Sequence, residues 1–173
     1  MSIRQSSTYA RTPSTARTNS SRIVTAWLST ALLDGLFSSA LSVFAYNSTA
    51  SRVWEGVAAT VKGSSAINGG TSMVLLGLVM HLGVALAWTL VFAGIVAIRP
   101  SLRRLAATPT GVVAISIVYG PLIWLVMSLI VIPLALGHAI PHGGRWLVQL
   151  IGHVPFVALP MVAILGRPSA PVI

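Results

Sequence analysis

Three ionisable side chains lie inside long apolar segments and are the residues best suited to chemistry in this chain. Asp34 falls near the middle of an apolar run at 23–46, and His81 and His153 fall within two later runs. An unpaired charge in hydrocarbon costs at least about 2.5–3.5 kcal/mol, so such groups face other helices. Three uses fit them: a polar clamp between helices, a proton- or ion-handling site, and axial ligation of a haem or chlorin by the two histidines.

Small and polar residues accompany these three groups at helical spacing. Ser38 and Ser42 follow Asp34 at i+4 and i+8, which predicts an intramembrane polar cluster. Gly77 lies one turn before His81, and Gly152 lies beside His153, which would leave a macrocycle room. His81 and His153 are therefore the candidate cofactor ligands, although the sequence requires no cofactor and identifies none. The predicted cluster consists of Asp34, Ser38, Ser42, His81 and His153.

Other chemistry has little support in the residues. His138 and His142 flank Pro141, which disrupts an i, i+4 metal pair, and no carboxylate is near, so no metal site is predicted. The chain has two acidic residues and no cysteine, and it lacks a nucleophile elbow, a Walker loop and a dinucleotide fingerprint. These features predict a protein that is not an enzyme.

Composition places these residues in a membrane protein. The 173 residues are 55% hydrophobic and 8% charged, whereas soluble domains carry about 25% charged residues. The net charge of +9 comes from basic residues near the ends of apolar runs, which favours contact with lipid headgroups and argues against nucleic acid. The predicted fold is all-α with four transmembrane helices, at about 23–46, 73–98, 112–137 and 147–165.

Positive charge predicts the orientation. Eight basic residues lie on the side of both termini and three lie on the other side, so both termini are expected in the cytoplasm of a bacterial inner membrane. The eight are Arg4, Arg11, Arg17, Arg22, Arg99, Arg103, Arg104 and Arg167, and the three are Arg52, Lys62 and Arg145.

The predicted domains are a flexible basic tail at 1–22, a transmembrane domain at 23–166 and a short C-terminal tail at 167–173. The Arg- and Ser-rich N-terminal tail also fits a transit peptide or a segment that orders on a partner, and the first span also fits a cleaved signal. Between the first two spans, Ser51–Lys62 places Trp54 and Val57 on one face and Glu55 on the other. That pattern predicts a short amphipathic helix in the membrane interface.

The order of several short motifs resembles an uncharacterised family of small four-span bacterial membrane proteins. The motifs are Gly-Gly before the second span, LGLxxH within it, YG…VxPL in the third span and His…Pro in the fourth. The resemblance covers roughly 26–166 and departs from the family at Met127-Ser128, where the family often has Met-Asn. It implies the four-span architecture and no activity.

We expect a non-catalytic accessory subunit of a larger membrane complex, respiratory or photosynthetic, because catalytic groups are scarce and helix faces carry small residues. Its partners would be lipids and other subunits, bound through transmembrane faces and the basic N-terminal tail. A small proton-coupled transporter using Asp34 with His81 or His153 is the first alternative. A haem- or pigment-binding membrane protein is the second.

Overall fold

The computed structural model describes residues 13–137, 139–140 and 142–167, and over these residues the chain forms helices and no strand. The helices are α1 (Pro13–Ala40), α2 (Ala50–Lys62), α3 (Gly70–Ile98), α4 (Pro100–Ala106), α5 (Pro109–Val126), α6 (Ile132–Leu136), α7 (Gly144–Gly152) and α8 (Leu159–Leu165). Turns of π-helix continue α1, join α5 to α6 and join α7 to α8, at Leu41–Ala45, Met127–Val131 and His153–Ala158.

Four of the resulting helical segments are long and apolar enough to cross a membrane. The shortest has 22 residues and reaches about 33 Å at ~1.5 Å per residue, against a hydrocarbon core of about 30 Å. The chain is therefore an all-α, multi-pass membrane protein, which confirms the predicted fold class. Spans 1 to 4 are Ser20–Ala45, Gly70–Ile98, Pro109–Leu136 and Gly144–Leu165.

The first helix begins earlier than the sequence pattern predicted. Residues 1–12 lie outside the described part of the chain, but α1 already starts at Pro13, within the segment predicted to be a flexible tail up to residue 22. Proline suits the first turn of a helix, because its missing N–H has no partner there. The helix of span 1 thus extends back beyond the apolar run, since helix formation does not require apolar residues.

Span 1 lies between spans 2 and 4, and span 4 packs against span 3. Spans 2 and 3 meet through aromatic side chains, with the Tyr119 ring 5.0 Å from the Phe92 ring and 6.2 Å from the Trp88 ring. The Tyr119 hydroxyl donates a hydrogen bond of 3.0 Å to the Trp88 carbonyl. These contacts close a bundle whose order is span 2, span 1, span 4, span 3.

The apolar core occupies one half of this bundle. Its residues come from spans 2, 3 and 4 and from α4, and they lie toward the membrane end that holds the connection 99–108 and the C-terminus of α8. We call this end the basic end, because Arg22, Arg99, Arg103, Arg104 and Arg167 lie there. The core residues are Phe92, Val96, Ala106, Ile115, Tyr119, Ile123, Val157, Ala158, Met161 and Val162.

Arg22 fastens span 1 to the end of span 4 at the basic end. Its guanidinium donates hydrogen bonds to the carbonyls of Ile164 at 2.7 Å, Leu165 at 3.0 Å and Arg167. The last carbonyls of a helix have no partner within the helix, and a cation near them is favourable. Arg22 therefore caps α8 from a different span.

The helix predicted between spans 1 and 2 is present as α2, and it packs against α3 and α6. Glu55, which the sequence placed on its polar side, is only 5% exposed. The Glu55 carboxylate lies 3.6 Å from Arg52 and accepts a hydrogen bond of 3.2 Å from the Asn68 N–H. Glu55 thus faces inward because it satisfies the backbone of the turn that leads into α3, where Asn68 has φ 67°.

A candidate ligand cavity around Asp34

A cavity of about 530 Å³ lies in the half of the bundle away from the basic end. All four spans and α2 line it, and its floor is the apolar core at Ile123, Val157 and Met161. Pockets for small organic ligands measure about 300–1,000 Å³ and have mostly apolar walls with a few polar groups. The polar and aromatic side chains in this wall include Asp34, Ser38, Trp54, His81, Trp88, Trp124, Gln149 and His153.

Asp34 and His81 face each other across the contact between spans 1 and 2. The Asp34 Oδ2 atom lies 3.9 Å from the His81 Nδ1 atom, and the two side chains are 18% and 16% exposed. The other ring nitrogen, Nε2, lies 3.0 Å from the Ala31 carbonyl. A carbonyl only accepts, so Nε2 carries the hydrogen, and in a neutral ring Nδ1 presents a lone pair to Asp34.

Two acceptors face each other here when His81 is neutral and Asp34 is ionised. A lone pair on His81 facing a carboxylate on Asp34 is repulsive, and repulsion in a membrane interior is weakly screened. A single proton, either on Nδ1 or on the carboxyl group, removes the repulsion and leaves the pair with no net charge. At 3.9 Å the two atoms are too far apart for a direct hydrogen bond.

The position of His81 depends on close approach between α2 and α3. A Cβ atom on Gly77 would overlap the Trp54 carbonyl group, so only glycine lets the α2 backbone come this close. The Trp54 ring then packs edge-on against the His81 ring, with centroids 5.3 Å apart. A Cβ on Gly35 would lie 2.9 Å from the same indole, so span 1 also needs a glycine here.

His153 is held from two sides in the π-helical turn of span 4. A Cβ on Gly120 would lie 2.6 Å from the His153 carbonyl oxygen, and a Cβ on Gly152 would overlap the Phe37 ring. The Nδ1 atom of His153 donates to the Gln149 carbonyl at 2.7 Å. Its Nε2 atom is then an acceptor, and it makes no hydrogen bond within the described residues. The ring packs against Trp124, with centroids 5.0 Å apart.

The structure brings four of the five residues of the predicted polar cluster to this cavity. Asp34, Ser38, His81 and His153 line it, while Ser42 instead donates to the Thr49 carbonyl at 2.8 Å and lies outside its wall. Asp34 contacts His81, and no hydrogen bond joins Asp34 to His153 in the described part of the chain. On span 1, the i+4 spacing correctly predicted that Asp34 and Ser38 face inward.

Several polar atoms near the cavity have no partner within the described residues. They are buried, and they include a donor on Trp124 and acceptors on Asp34 and Gln149: Nε1, Oδ1 and Oε1 respectively. The Gln149 amide does donate to the Ser38 hydroxyl at 3.3 Å. Buried polar groups without partners cost about 1–3 kcal/mol each, so this site is incompletely satisfied by the protein alone.

The spaces expected for a macrocycle are filled by protein. The Trp54 backbone occupies the space beside Gly77, and the Phe37 ring occupies the space beside Gly152. Moreover, the Nε2 atom of His81 is engaged by the Ala31 carbonyl, so haem ligation through it would break that bond. His153 keeps its Nε2 atom available. Ligation of a haem or chlorin by both histidines stays a prediction that this geometry does not favour.

The outer histidines contribute no site within the described residues. His138 lies outside them, and the His142 ring packs edge-on against Trp146, with centroids 5.2 Å apart. In the described ranges no group of three metal-ligating side chains comes together.

The predicted cluster did not include four polar or aromatic residues of the cavity wall, which are Trp54, Trp88, Trp124 and Gln149. The signal that could have found Gln149 is its position one turn before His153, on the same helix face. The tryptophans gave no such signal, because indoles are common in boundaries, cores and ligand sites.

No family model, curated protein or solved structure matches this chain.

Proposed function

We propose that this chain is a small proton-coupled transporter that binds an organic substrate in the cavity around Asp34. The observation that carries the proposal is the cavity itself, about 530 Å³ in volume, with the intramembrane carboxylate and both intramembrane histidines in its wall. Ionisable groups inside a membrane are expensive and commonly mark proton or substrate pathways.

The coupling proton would be one held by Asp34 or His81. A transporter needs a group that holds a proton in one state and gives it up when substrate binds, and we assign that role to this pair at the cavity wall. His153 is the third titratable residue among those that line the cavity, and its Nε2 atom supplies a further acceptor.

Charge supports an orientation with both termini in the cytoplasm of a bacterial inner membrane. The basic end carries Arg22, Arg99, Arg103, Arg104 and Arg167, whereas Arg52 and Lys62 in α2 and Arg145 at the start of span 4 lie at the other end. Positive charge is enriched on the cytoplasmic side. In this orientation the cavity occupies the outer half of the bundle, beneath α2.

The predicted role as an accessory subunit stays a prediction. It rested on the scarcity of catalytic groups and on the small residues of the helix faces, and a cavity of this size with polar groups in its wall favours a site for small molecules instead. Purification from native membranes in mild detergent discriminates between the two. Co-purification with a defined large complex would favour the subunit, and a protein that comes away alone or as copies of itself would favour the transporter.

Transport is tested directly in proteoliposomes with an acidic interior and an entrapped fluorescent pH indicator. A panel of neutral, cationic and anionic small organic compounds is added outside, one at a time. We expect at least one compound to drive proton efflux that depends on the protein. The Asp34→Asn variant should abolish this efflux, and Glu55→Gln, which changes the other acid outside the cavity wall, should retain it. No compound-dependent efflux across the panel would refute the proposal.

A further inference from the structure

The wall of the cavity is suited to positive charge. Asp34 supplies a carboxylate, and none of the described residues that line the cavity is a lysine or arginine. Trp54, Trp88 and Trp124 add three indoles, whose faces carry negative partial charge and attract cations. The protein thus surrounds this space with groups that favour a cation and offers none that would bind an anion tightly.

The unpaired hydrogen-bonding atoms of the cavity wall also favour a cationic ligand. Acceptors predominate, because Asp34 Oδ2 and His153 Nε2, an acceptor when Nδ1 donates, make no hydrogen bond within the described residues. The one unpartnered donor at the cavity wall is the Trp124 N–H, counted over the same residues. A ligand that satisfies this set carries hydrogen on nitrogen or a positive charge, together with a large apolar surface.

We propose that the cavity binds a lipophilic organic monocation, such as a hydrophobic amine or an onium ion, whose charge replaces a proton held by Asp34 or His81. The inference rests on the proposed function and names its substrate class. The exchange occurs at Asp34 Oδ2, which lies 3.9 Å from His81 Nδ1. The apolar remainder of the ligand lies against the indoles.

The exchange balances in charge and protons. Before binding, Asp34 and His81 hold one proton and have no net charge. On binding, the O–H or N–H bond of that proton breaks, the proton passes to a base in the aqueous phase, and His81 is left neutral with its Nε2–H on the Ala31 carbonyl. The carboxylate then faces the cation. One cation enters for one proton released, and the site has no net charge in either state.

The competing occupant is a lipid chain, because the same wall is largely apolar. A lipid chain makes no demand on Asp34 and displaces no proton. The charge of the ligand therefore discriminates between the two occupants, provided that size and shape are held constant.

The experiment uses the full chain in zwitterionic phosphatidylcholine nanodiscs, with empty nanodiscs as the control for partition into lipid. The probes are tetraphenylphosphonium, the tetraphenylborate anion of the same shape, and neutral triphenylphosphine oxide. Binding is followed by calorimetry in two buffers of different ionisation enthalpy, which also gives the number of protons released. We expect tetraphenylphosphonium to bind with release of about one proton and the other two probes to bind at least tenfold more weakly.

Two variants give a second test, and the conclusion does not depend on them alone. Asp34→Asn should weaken tetraphenylphosphonium binding at least tenfold and abolish proton release, while Glu55→Gln should leave both unchanged. Gel filtration reports whether each variant is folded, and the comparison of probes on the unaltered protein stands even if a variant is not.

The outcomes separate the inference from the proposed function. Equal binding of the cation and the neutral probe without proton release would overturn the inference and leave a cavity that binds small molecules. Preferential binding of the borate would overturn it as well. Binding of none of the three above the empty nanodiscs would overturn the inference. If proton efflux in the proteoliposome panel nevertheless occurred, the proposed function would stand with another substrate class.

Discussion

Replacing Gly77 with alanine should separate α2 from the bundle. The added Cβ would lie 2.6 Å from the Trp54 carbonyl carbon and would overlap its oxygen. The α2 backbone would have to retreat by about 1.5 Å to bring the Trp54 carbonyl oxygen to ordinary contact, and overpacking of this kind costs about 1–3 kcal/mol. Trp54 would move with that backbone, away from His81 and out of the cavity wall.

Gly83→Ala is the matched control, since the same helix carries Gly83 with no atom within 4 Å of an added Cβ. Both variants gain the same intrinsic helix propensity, about 0.5–1 kcal/mol, so this contribution cancels in the comparison. The difference in unfolding free energy between the two should be about 1–3 kcal/mol in favour of Gly83→Ala.

Unfolding of both variants by denaturant in detergent micelles, followed by circular dichroism, gives this difference. Quenching of tryptophan fluorescence by a soluble quencher is measured over all five tryptophans, and it should increase for Gly77→Ala alone because Trp54 moves away from His81. Equal stability and equal quenching in the two variants would refute the close approach of α2 to α3, and with it the position assigned to His81.

Two further variants test the contacts that close the bundle. Tyr119→Phe removes the hydrogen bond to the Trp88 carbonyl and should destabilise the fold by about 0.5–1.5 kcal/mol, whereas Tyr46→Phe, whose buried hydroxyl has no partner among the described residues, should cause no loss. Denaturant unfolding measures both, and an equal loss would contradict the assignment. Arg22→Gln removes the cap on α8 and should increase hydrogen exchange at the C-terminal end of α8 several-fold, while Arg103→Gln, an exposed charge at the same end, should not. Unchanged hydrogen exchange in Arg22→Gln would contradict the cap that Arg22 places on α8.

Local features of the sequence predicted the spans and the inward face of span 1. A membrane requires about 20 apolar residues in a row, so each span is visible without reference to the others. Thr30 and Ser38 share a face with Asp34 at one-turn spacing, and Thr30 donates to the Val157 carbonyl at 3.3 Å, as expected of an interhelical contact. Such patterns depend on neighbours within one helix.

Contacts between segments could not be predicted in this way. The space beside Gly77 looked open because the sequence does not say that the Trp54 backbone fills it. Glu55 looked exposed because its partner, the Asn68 N–H, belongs to a turn whose shape depends on a left-handed residue. The order of spans around the bundle, which decides that Asp34 meets His81, follows from pairings that no single helix encodes.

The contact between Arg22 and the end of α8 has a consequence for synthesis of the protein. Arg22 precedes Ile164, which it contacts, by 142 residues, a gap that takes roughly 7–28 s to translate at about 5–20 residues per second. Asp34 waits for a shorter time, because its partner His81 follows Ala31, whose carbonyl it also contacts, by only 50 residues and is made roughly 2.5–10 s later at about the same rate. The hairpin of spans 1 and 2 therefore gives Asp34 its partner early, and span 4, the last of the four spans to be made, fixes span 1 in place.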